Sequence, residues 1–392
     1  MDKTLLSAEI QEFITSNINA DVAKLALQKN KFPNADWTLI LNQIAAKQKA
    51  KTKLPTWFNA TNIYYPSKIS VEQTSSEKTA EYKSKLVAGD KLIDLTGGFG
   101  VDDYYFCKKV NHVTHCEINL ELSEIVVHNF DQLQAKNIEC FAGDSSEILK
   151  NLNQKFDWIY IDPSRRNDAK GKVFMLKDCL PNVSELLDFY FKFSDNIMIK
   201  TAPILDVSAG LSELENVKTI HIIALENEVK ELLWILEKKH SKTIEIVTCN
   251  LTKDTTEEFT FELGNSPVTN YTLPKKYLFE PNAAIMKSGG FDEITKHFEV
   301  QKLQQHSHLY TSDTFIDFPG RAFEIENSFE YNKHNMKSFL ENKKANITTR
   351  NFPETVENIR KKWKINDGGS VYCFFTTNAN NNKIVLLCSK LK

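Results

Sequence analysis

Apolar positions in the N-terminal part of the chain recur with the spacing of helices. Within residues 4–50, apolar side chains return every three or four positions in several stretches, which is the period of an amphipathic helix. The series consists of Leu5, Ile10, Phe13, Ile14, Ile18, Val22, Leu25, Leu27, Leu39, Ile40 and Ile44. This pattern predicts a helical domain over residues 1–70.

From Lys91 to about Asn250 the pattern changes to short apolar runs that are separated by polar or helical stretches. The runs cover residues 91–95, 112–116, 158–161, 196–199 and 219–223. Near-continuous apolar runs that alternate with helical segments are typical of a mostly parallel sheet buried on both faces. Ligands of such sheets bind at the carboxyl ends of the strands, so residues that directly follow a run are candidates for a site.

Beyond Pro274 this alternation ends. The pattern predicts a helix from Pro281 through Ile294, a strand near 321–325 and helices near 332–343 and 353–363. Two strands follow, joined by the asparagine-rich turn at 378–382. Together these elements indicate an α+β module after the sheet domain.

Length, composition and charge narrow the class of protein. A chain of 392 residues is too long for one ordinary domain. Its 41% hydrophobic and 26% charged residues exclude a disordered protein. A net charge of -2 provides no global attraction to nucleic acid, so such a partner has to meet a local basic patch.

The sequence predicts a cytoplasmic protein that binds neither a membrane nor a metal. The first residues lack the layout of a signal peptide, and no apolar run approaches the ~18 residues needed to span a bilayer. The seven cysteines show neither a C-x-x-C pair nor zinc-ligand spacing. His112, His115 and Cys116 could form a metal cluster, but alternation along a strand would place neighbours on opposite faces.

The strongest chemical signal is the segment 94–100, Asp-Leu-Thr-Gly-Gly-Phe-Gly, directly after an apolar run. Glycines at Gly97, Gly98 and Gly100 let the backbone turn tightly and approach a nucleotide, while amides of the following helix face it. Dinucleotide enzymes also use such a turn. Their fingerprint would require a third glycine at position 103, where Asp103 stands and would repel a pyrophosphate together with Asp102.

Acidic residues end three successive predicted strands, at Asp94, Glu117 and Asp144. A carboxylate at Glu117 can accept hydrogen bonds from both ribose hydroxyls, and one at Asp144 can accept the amino group of an adenine. A ligand with a ribose, an adenine and a positive centre but no phosphate fits this set, and S-adenosylmethionine has those parts. The alternative is that the acids are helix N-caps, which are common at such turns.

Four motifs together resemble the class I S-adenosylmethionine-dependent methyltransferases, and among them the bacterial group with a C-terminal THUMP-like domain. The motifs are residues 70–83, the loop 94–100, Ile161-Asp162-Pro163-Ser164-Arg165-Arg166 and Tyr277-Leu278-Phe279-Glu280-Pro281. The first also resembles the stretch before the glycine loop of trimethylguanosine synthases. One departure is Thr96, where many class I enzymes have a glycine.

This resemblance implies a division into four parts and a cofactor. It implies a helical N-terminal domain over 1–70, a Rossmann-like methyltransferase core over 71–272, a small ferredoxin-like domain over 273–325 and a THUMP-like domain over 326–392. The fold class is therefore α/β with a C-terminal α+β module. The implied cofactor is S-adenosylmethionine, held by Gln73, Ser76, Asp94, Thr96, Gly97, Gly98, Gly100, Glu117 and Asp144.

The segment that begins with Asp162 and Pro163 follows a predicted strand and so lies at the same edge of the sheet. In class I enzymes that methylate exocyclic amines, an Asp or Asn before proline accepts hydrogen bonds from the amine and orients its lone pair. Alignment supplies much of the rate in such a transfer. Ser164 cannot stack on a base, so stacking falls to Tyr64, Tyr65 or Phe99, or the acceptor is not a flipped base.

Basic residues near this segment have two interpretations each. Arg165 and Arg166 could hold an acceptor phosphate or pair with a carboxylate such as Asp168, and we favour the phosphate for at least one of them. Lys200 could assist ribose 2'-O methylation, or it could be a strand-end lysine with an extended side chain. Methylation of a pyrimidine at carbon 5 is disfavoured because no cysteine nucleophile lies near.

Two basic stretches could meet a nucleic acid. Residues 331–364 contain nine Lys or Arg against three Glu, and they overlap the part that resembles THUMP domains, which are associated with structured RNA. The lysines at 47, 49, 51 and 53 could end a solvated helix or contact phosphate. We therefore expect a methyltransferase that acts on RNA, most plausibly on a nucleobase amine of tRNA or rRNA.

Three alternatives are kept. The first is ribose 2'-O methylation, and the second is an RNA-binding protein whose methyltransferase core has lost turnover. The third is a nicotinamide-dependent oxidoreductase, because a glycine-rich turn followed by an acid is shared with NAD enzymes.

Overall fold

The computed structural model describes residues 1–165, 175–265 and 267–392 of the chain. These residues fall into two compact units. The first comprises Met1–Lys218 and Leu233–Ser241, and the second comprises Thr219–Leu232 and Lys242–Lys392. In the described ranges no helix is long and apolar enough to cross a membrane. The domain limits at 70, 272 and 325 stay predictions.

The first unit begins with helices, where the apolar spacing predicts them. They are α1 Ala8–Ser16, α2 Val22–Ala26, α3 Trp37–Lys53, α4 Pro55–Asn59, α5 Lys68–Gln73 and α6 Glu77–Ser84. The side chain of Asp36 accepts the Thr38 N–H at 2.7 Å, which fixes the start of α3. Buried side chains of these helices, among them Ile44 and Trp57, share one core with Phe99.

The predicted apolar runs of this unit form a parallel sheet with helices between the strands. The strands of the sheet are β1 Lys91–Asp94, β2 His112–Glu117, β3 Ile138–Ala142, β4 Trp158–Ile161 and β7 Asn196–Thr201, and between the last two lies a separate antiparallel pair, β5 Ser164–Arg165 and β6 Cys179–Leu180. The helices are α7 Val101–Phe106, α8 Leu120–Gln132, α9 Ser145–Leu152, α10 Val183–Tyr190 and α11 Val207–Leu211.

Five of these strands are neighbours in the order β7-β4-β1-β2-β3, and each neighbouring pair is parallel. The chain order reverses between β1 and β4. A reversal of this kind opens a crevice at the carboxyl edge of the sheet. The predicted two-faced parallel sheet is therefore confirmed, and the residues after β1, β2, β3 and β4 lie at one edge.

The second unit contains two further groups of strands. Strand β8 Val217–Leu225 begins in the first unit, and strand β9 Glu228–Glu237 ends there. Strand β10 Glu245–Leu251 is parallel to β8 and antiparallel to β11 Thr256–Glu262. The remaining strands are β12 Tyr277–Pro281, β13 Gln301–Lys302, β14 Tyr310–Ser312, β15 Gly320–Glu330, β16 Asn346–Thr349, β17 Val371–Thr377 and β18 Lys383–Lys390.

These last strands form a seven-stranded sheet in the order β13-β14-β12-β15-β18-β17-β16. Helices α12 Ala283–Ser288, α13 Glu293–His297, α14 Lys333–Phe339 and α15 Val356–Trp363 accompany it. Leu278 of β12, Phe374 of β17 and Leu386 of β18 share one buried cluster.

The predicted α+β module is confirmed, with differences at element ends. The helix predicted from Pro281 through Ile294 is two short helices, because Gly289 adopts a left-handed φ of 74° after α12. The strand predicted near 321–325 extends to Glu330 because its second half pairs with β18. The asparagine turn is present, with Asn378 Oδ1 accepting the N–H of Asn380 and Asn382 at 3.0 Å each.

Candidate active site

The glycine loop leaves β1 and enters α7 in the way the sequence predicts. The Gly97 N–H donates to the Cys116 carbonyl at 2.8 Å, which ties the loop to β2. A Cβ at Gly97 would lie 2.1 Å from the His115 ring, so no side chain fits there. Gly98 has a left-handed φ of 55°, and a Cβ there would meet no atom closer than 3.7 Å. The His115 ring thus fills the space beside Gly97, whereas the space beside Gly98 is open.

Thr96, the departure from the usual glycine, joins two parts of the site. Its N–H and its hydroxyl both donate to Asp94 Oδ1, at 2.7 and 3.1 Å. Its hydroxyl oxygen accepts the Asp162 N–H at 2.6 Å. The threonine therefore connects the end of β1 to the residue that follows β4.

Glu117 at the end of β2 fixes the loop from the other side. Its Oε2 accepts the Gly98 N–H at 2.9 Å, and its Oε1 accepts the Asn119 N–H at 2.7 Å. Each carboxylate oxygen has more than one acceptor position, so both can still accept a ligand hydroxyl. The adjacent Ile118 is 76% exposed, and sequence reasoning missed this apolar surface beside the acid.

The other predicted cofactor residues have local roles in the structure. Asp144 is exposed and caps α9, because its Oδ1 accepts the N–H of Ser146 and Glu147 at 2.9 and 3.0 Å. The N-cap interpretation therefore holds for Asp144. Ser76 caps α6 through the Thr79 N–H at 3.2 Å. Gln73 is the exposed last residue of α5.

A buried acidic pair and a histidine lie beneath the loop. Burial, reinforced by the Asp103 charge, raises the pKa of Asp94 well above its usual range. Burial and the Asp102 charge do the same for the pKa of Asp103. His115 Nδ1 lies 2.6 Å from Asp103 Oδ2, and burial lowers the pKa of His115. Asp103, which stands where a dinucleotide fingerprint would have its third glycine, thus lies buried beneath the loop.

A second buried network attaches the motif at 70–83 to the sheet, and sequence reasoning missed it. Lys83 is fully buried, and its Nζ lies 3.1 Å from Asp102 Oδ1 and 2.8 Å from Ser75 Oγ. The Tyr160 hydroxyl donates to Asp102 Oδ2 at 2.8 Å. Burial opposes ionisation of Asp102, but Lys83 and Lys200 outweigh it and lower its pKa. The signal in the sequence is a lysine at the end of the motif at 70–83 and an acid two residues after the glycine loop.

The structure brings Asp162 and Lys200 together. Asp162 follows β4, Lys200 lies in the neighbouring β7, and the lysine Nζ donates to Asp162 Oδ2. The Asp162 side chain is 37% exposed and that of Lys200 13%. Pro163 is buried. The backbone of Arg165 ends β5, whereas its side chain and the whole of Arg166 and Asp168 lie outside the described residues.

The aromatic residues expected to stack on an acceptor base do not face the site. Tyr64, Tyr65 and Phe99 are at most 5% exposed. The Tyr65 hydroxyl donates to the Trp57 carbonyl at 2.9 Å, and the Trp57 and Phe99 rings are 6.2 Å apart. The expectation that these rings stack on a base is therefore wrong, because they belong to the core of the helical domain, and the alternative that the acceptor is not a flipped base stays open.

Acidic residues neutralise part of the positive charge of the basic stretch at 331–364. Arg350, Arg360 and Lys362 pair with acids, namely Glu280, Asp367 and Glu354. Six other basic residues are exposed, and within the described ranges none of them has an ion pair: Lys333, Lys337, Lys343, Lys344, Lys361 and Lys364. Among the residues described, no group of three His, Cys, Asp or Glu could hold a metal ion.

Comparison with known proteins identifies the C-terminal part and a relative of the whole chain. Residues 277–319 match a family model described as a ferredoxin-like domain, and residues 320–390 match one described as THUMP domain-like. A solved structure from Porphyromonas gingivalis W83, assigned as a methyltransferase, is 30% identical with a TM-score of 0.88. The alignment covers 100% of this chain and 99% of that one.

Two further solved structures resemble part of the chain. An rRNA methylase from Streptococcus thermophilus is 12% identical with a TM-score of 0.30, over 42% of this chain and 96% of that one. TrmK from M. capricolum, in complex with S-adenosyl-homocysteine, is 14% identical with a TM-score of 0.32, over 45% and 70%. At these scores the likeness adds nothing to the assignment. No curated protein matches the chain.

Proposed function

Because this chain belongs to the family of class I methyltransferases with ferredoxin-like and THUMP-like domains in the C-terminal part, we propose that it methylates RNA with S-adenosylmethionine. The observation that carries the proposal is the convergence of Glu117, Thr96 and Asp162 at one edge of the parallel sheet. Glu117 and Asp162 each bind the glycine loop, to which Thr96 belongs, and Asp162 follows the strand next to β1.

The loop and its partners fit the cofactor. Glu117 would accept the ribose hydroxyls with the acceptor positions that its backbone bonds leave over. Ile118 would cover a face of the adenine, and Asp144 would accept its amino group through the oxygen that does not cap α9. Gly97, Gly98 and Gly100 would let the backbone of the loop pass close to the cofactor. Gln73 and Ser76 would contact the cofactor from the opposite side. When bound, S-adenosylmethionine supplies an electrophilic methyl group whose leaving group is a neutral thioether.

Asp162 is the proposed acceptor-binding residue, with Pro163 restricting the loop behind it. One of its oxygens binds Lys200, and the other would accept a hydrogen from a nucleobase amine and so direct the nitrogen lone pair. Ribose 2'-O methylation stays the second candidate, because a lysine does lie in the site. We place amine methylation first because the Lys200 ammonium already donates to Asp162 Oδ2.

The RNA would be a tRNA or an rRNA. Two features support this part of the proposal, namely the THUMP-like match over 320–390 and the exposed lysines within it that pair with no acid in the described part of the chain. Lysines without carboxylate partners are available to release counterions from a phosphate backbone. Arg165 would contact an acceptor phosphate, and the cytoplasmic location stays a prediction.

Methyl transfer from labelled S-adenosylmethionine to total RNA tests the proposal. Mass spectrometry of the product nucleosides would identify the methylated atom. Asp162→Ala should lower turnover by on the order of a hundredfold, whereas Asp162→Asn should keep part of it. If Lys200→Ala loses activity while Asp162→Ala keeps full activity, the methyl acceptor is the ribose 2'-hydroxyl and not a nucleobase amine. RNA binding without any transfer by the wild type would leave only a binding protein.

A further inference from the structure

A buried carboxylate in the ferredoxin-like domain binds two arginines. Glu280 of β12 is 3% exposed. Arg321 of β15 approaches its Oε2 with Nε at 2.7 Å and with Nη2. Arg350, which follows β16, approaches Oε1 with Nε at 3.1 Å and Nη2 at 2.8 Å. Each carboxylate oxygen thus serves one guanidinium.

This cluster has a surplus of positive charge and of donors. One arginine neutralises one glutamate, so the second leaves a net positive charge. Each guanidinium has five N–H donors and uses two of them on Glu280, which leaves three. The described residues offer these remaining donors no other acceptor. Arg321 and Arg350 are 36% and 34% exposed, so both reach solvent while Glu280 does not.

The two guanidiniums are held in place from several sides. The Arg321 guanidinium lies over the Phe323 ring, with Cζ 5.5 Å from its centroid. The Arg350 N–H donates to the Phe375 carbonyl at 2.9 Å. Because the positions of both forks are already fixed, a ligand would not have to order them.

The segment after Arg350 is also fixed and brings a further cation. Asn351 Nδ2 donates to Gln304 Oε1 at 2.8 Å, and the Thr377 hydroxyl donates to the Asn351 carbonyl at 2.6 Å. The Lys383 ammonium in turn donates to the Thr377 hydroxyl at 2.6 Å. Among the described residues Lys383 has no carboxylate partner, so its charge adds to that of the arginines.

We propose that Arg321 and Arg350 bind a phosphate of the RNA backbone, with Glu280 as the positioning residue. The proposal rests on the proposed RNA methyltransferase function and adds a contact made by two arginines to the exposed lysines of the stretch at 331–364. A planar guanidinium with a free edge matches two phosphate oxygens in a way that a lysine does not. One arginine suffices to neutralise Glu280, so the second guanidinium provides a positive charge for the phosphate.

Filter binding of labelled total RNA, measured over about 50 to 200 mM KCl, tests the pair. Arg321→Gln and Arg350→Gln should each weaken binding about tenfold at the lower salt concentration. Each should also reduce the slope of log K against log salt by about 0.7 to 0.9, because one phosphate contact is lost. The matched control is Lys230→Gln, a cation of 36% exposure that pairs with Glu228 and should change neither quantity.

Three outcomes overturn the proposal or its premise. An unchanged salt slope in both arginine variants would make the cluster structural only. A wild type that binds no RNA at all would instead refute the proposed function, so the two failures are distinguishable. If inorganic phosphate raises the melting temperature of the wild type but not of the variants while the RNA slope is unchanged, the cluster binds a free anion and not RNA.

The lysine variants keep the test valid if a glutamine variant does not fold. Thermal unfolding followed by circular dichroism would report this. Arg321→Lys and Arg350→Lys retain the charge but lose the fork, so the salt slope should persist while affinity falls about threefold to tenfold. Full affinity in both lysine variants would contradict the proposed guanidinium contact.

Discussion

Replacing Glu117 by alanine tests the cofactor site most directly. The wild-type carboxylate would accept two ribose hydroxyls, and hydrogen bonds to a charged acceptor are stronger than neutral ones. Losing both should cost about 2 to 4 kcal/mol of binding free energy. The structure adds a second contribution, because Glu117 also binds the N–H groups of Gly98 and Asn119 at 2.9 and 2.7 Å. Without the carboxylate, the loop that faces the ligand is no longer held.

Calorimetry with S-adenosylhomocysteine would measure this loss. The dissociation constant should rise by about 30-fold to 700-fold, the equivalent of the free energy above. Glu117→Gln keeps one acceptor oxygen and should lie between the wild type and alanine. Glu139→Ala is the matched control, since this acid is exposed on β3 but is not at the carboxyl end of the strand. An alanine variant within about fivefold of the wild type, or a wild type that binds NAD more tightly than S-adenosylhomocysteine, would refute the reasoning.

Three further predictions follow from the site and the C-terminal part. The Asp162 and Lys200 substitutions should be non-additive, since the two side chains are paired: the double alanine variant should be no slower in methyl transfer than Asp162→Ala alone within about threefold. Changing Lys361 and Lys364 together to Glu should weaken binding of total RNA and flatten its salt dependence, with cofactor affinity unchanged by calorimetry. Asp103→Asn should flatten the fall in melting temperature that begins as the pH rises above about 4. The reason is that a raised carboxyl pKa contributes stability below its usual range near 4 and loses it as pH rises through the raised pKa.

The sheet and the position of the site could be predicted because both follow from local sequence. Continuous apolar runs report burial on two faces, and an acid or glycine directly after a run must lie at the carboxyl edge. Asp94, Glu117 and Asp162 were located in this way. The departure at Thr96 was noticed, but its bonds to Asp94 and Asp162 depend on how two strands align in space.

The parts that sequence did not predict involve partners that are distant along the chain. Arg350 counted as a free cation in a basic stretch, yet its partner Glu280 lies 70 residues earlier. From the sequence alone Tyr64 and Tyr65 could be stacking residues, but in the structure the helical domain buries both. The contact between Asp103 and His115, which are 12 residues apart, likewise depends on the packing of α7 against β2. Charge and polarity alone do not indicate which side of an element a residue faces.

The hydroxyl of Thr96 has a single proton, and the structure shows how it is used. The hydroxyl donates that proton to Asp94 Oδ1, so its oxygen is left to accept the Asp162 N–H. The direction of both hydrogen bonds is therefore fixed. The segment at 94–100 therefore cannot be exchanged without regard to Asp162. A graft from a relative with glycine at this position would reproduce the backbone path and still leave the Asp162 amide without its acceptor. In exchange experiments within the family, position 96 and the segment at 161–164 should therefore be transferred together.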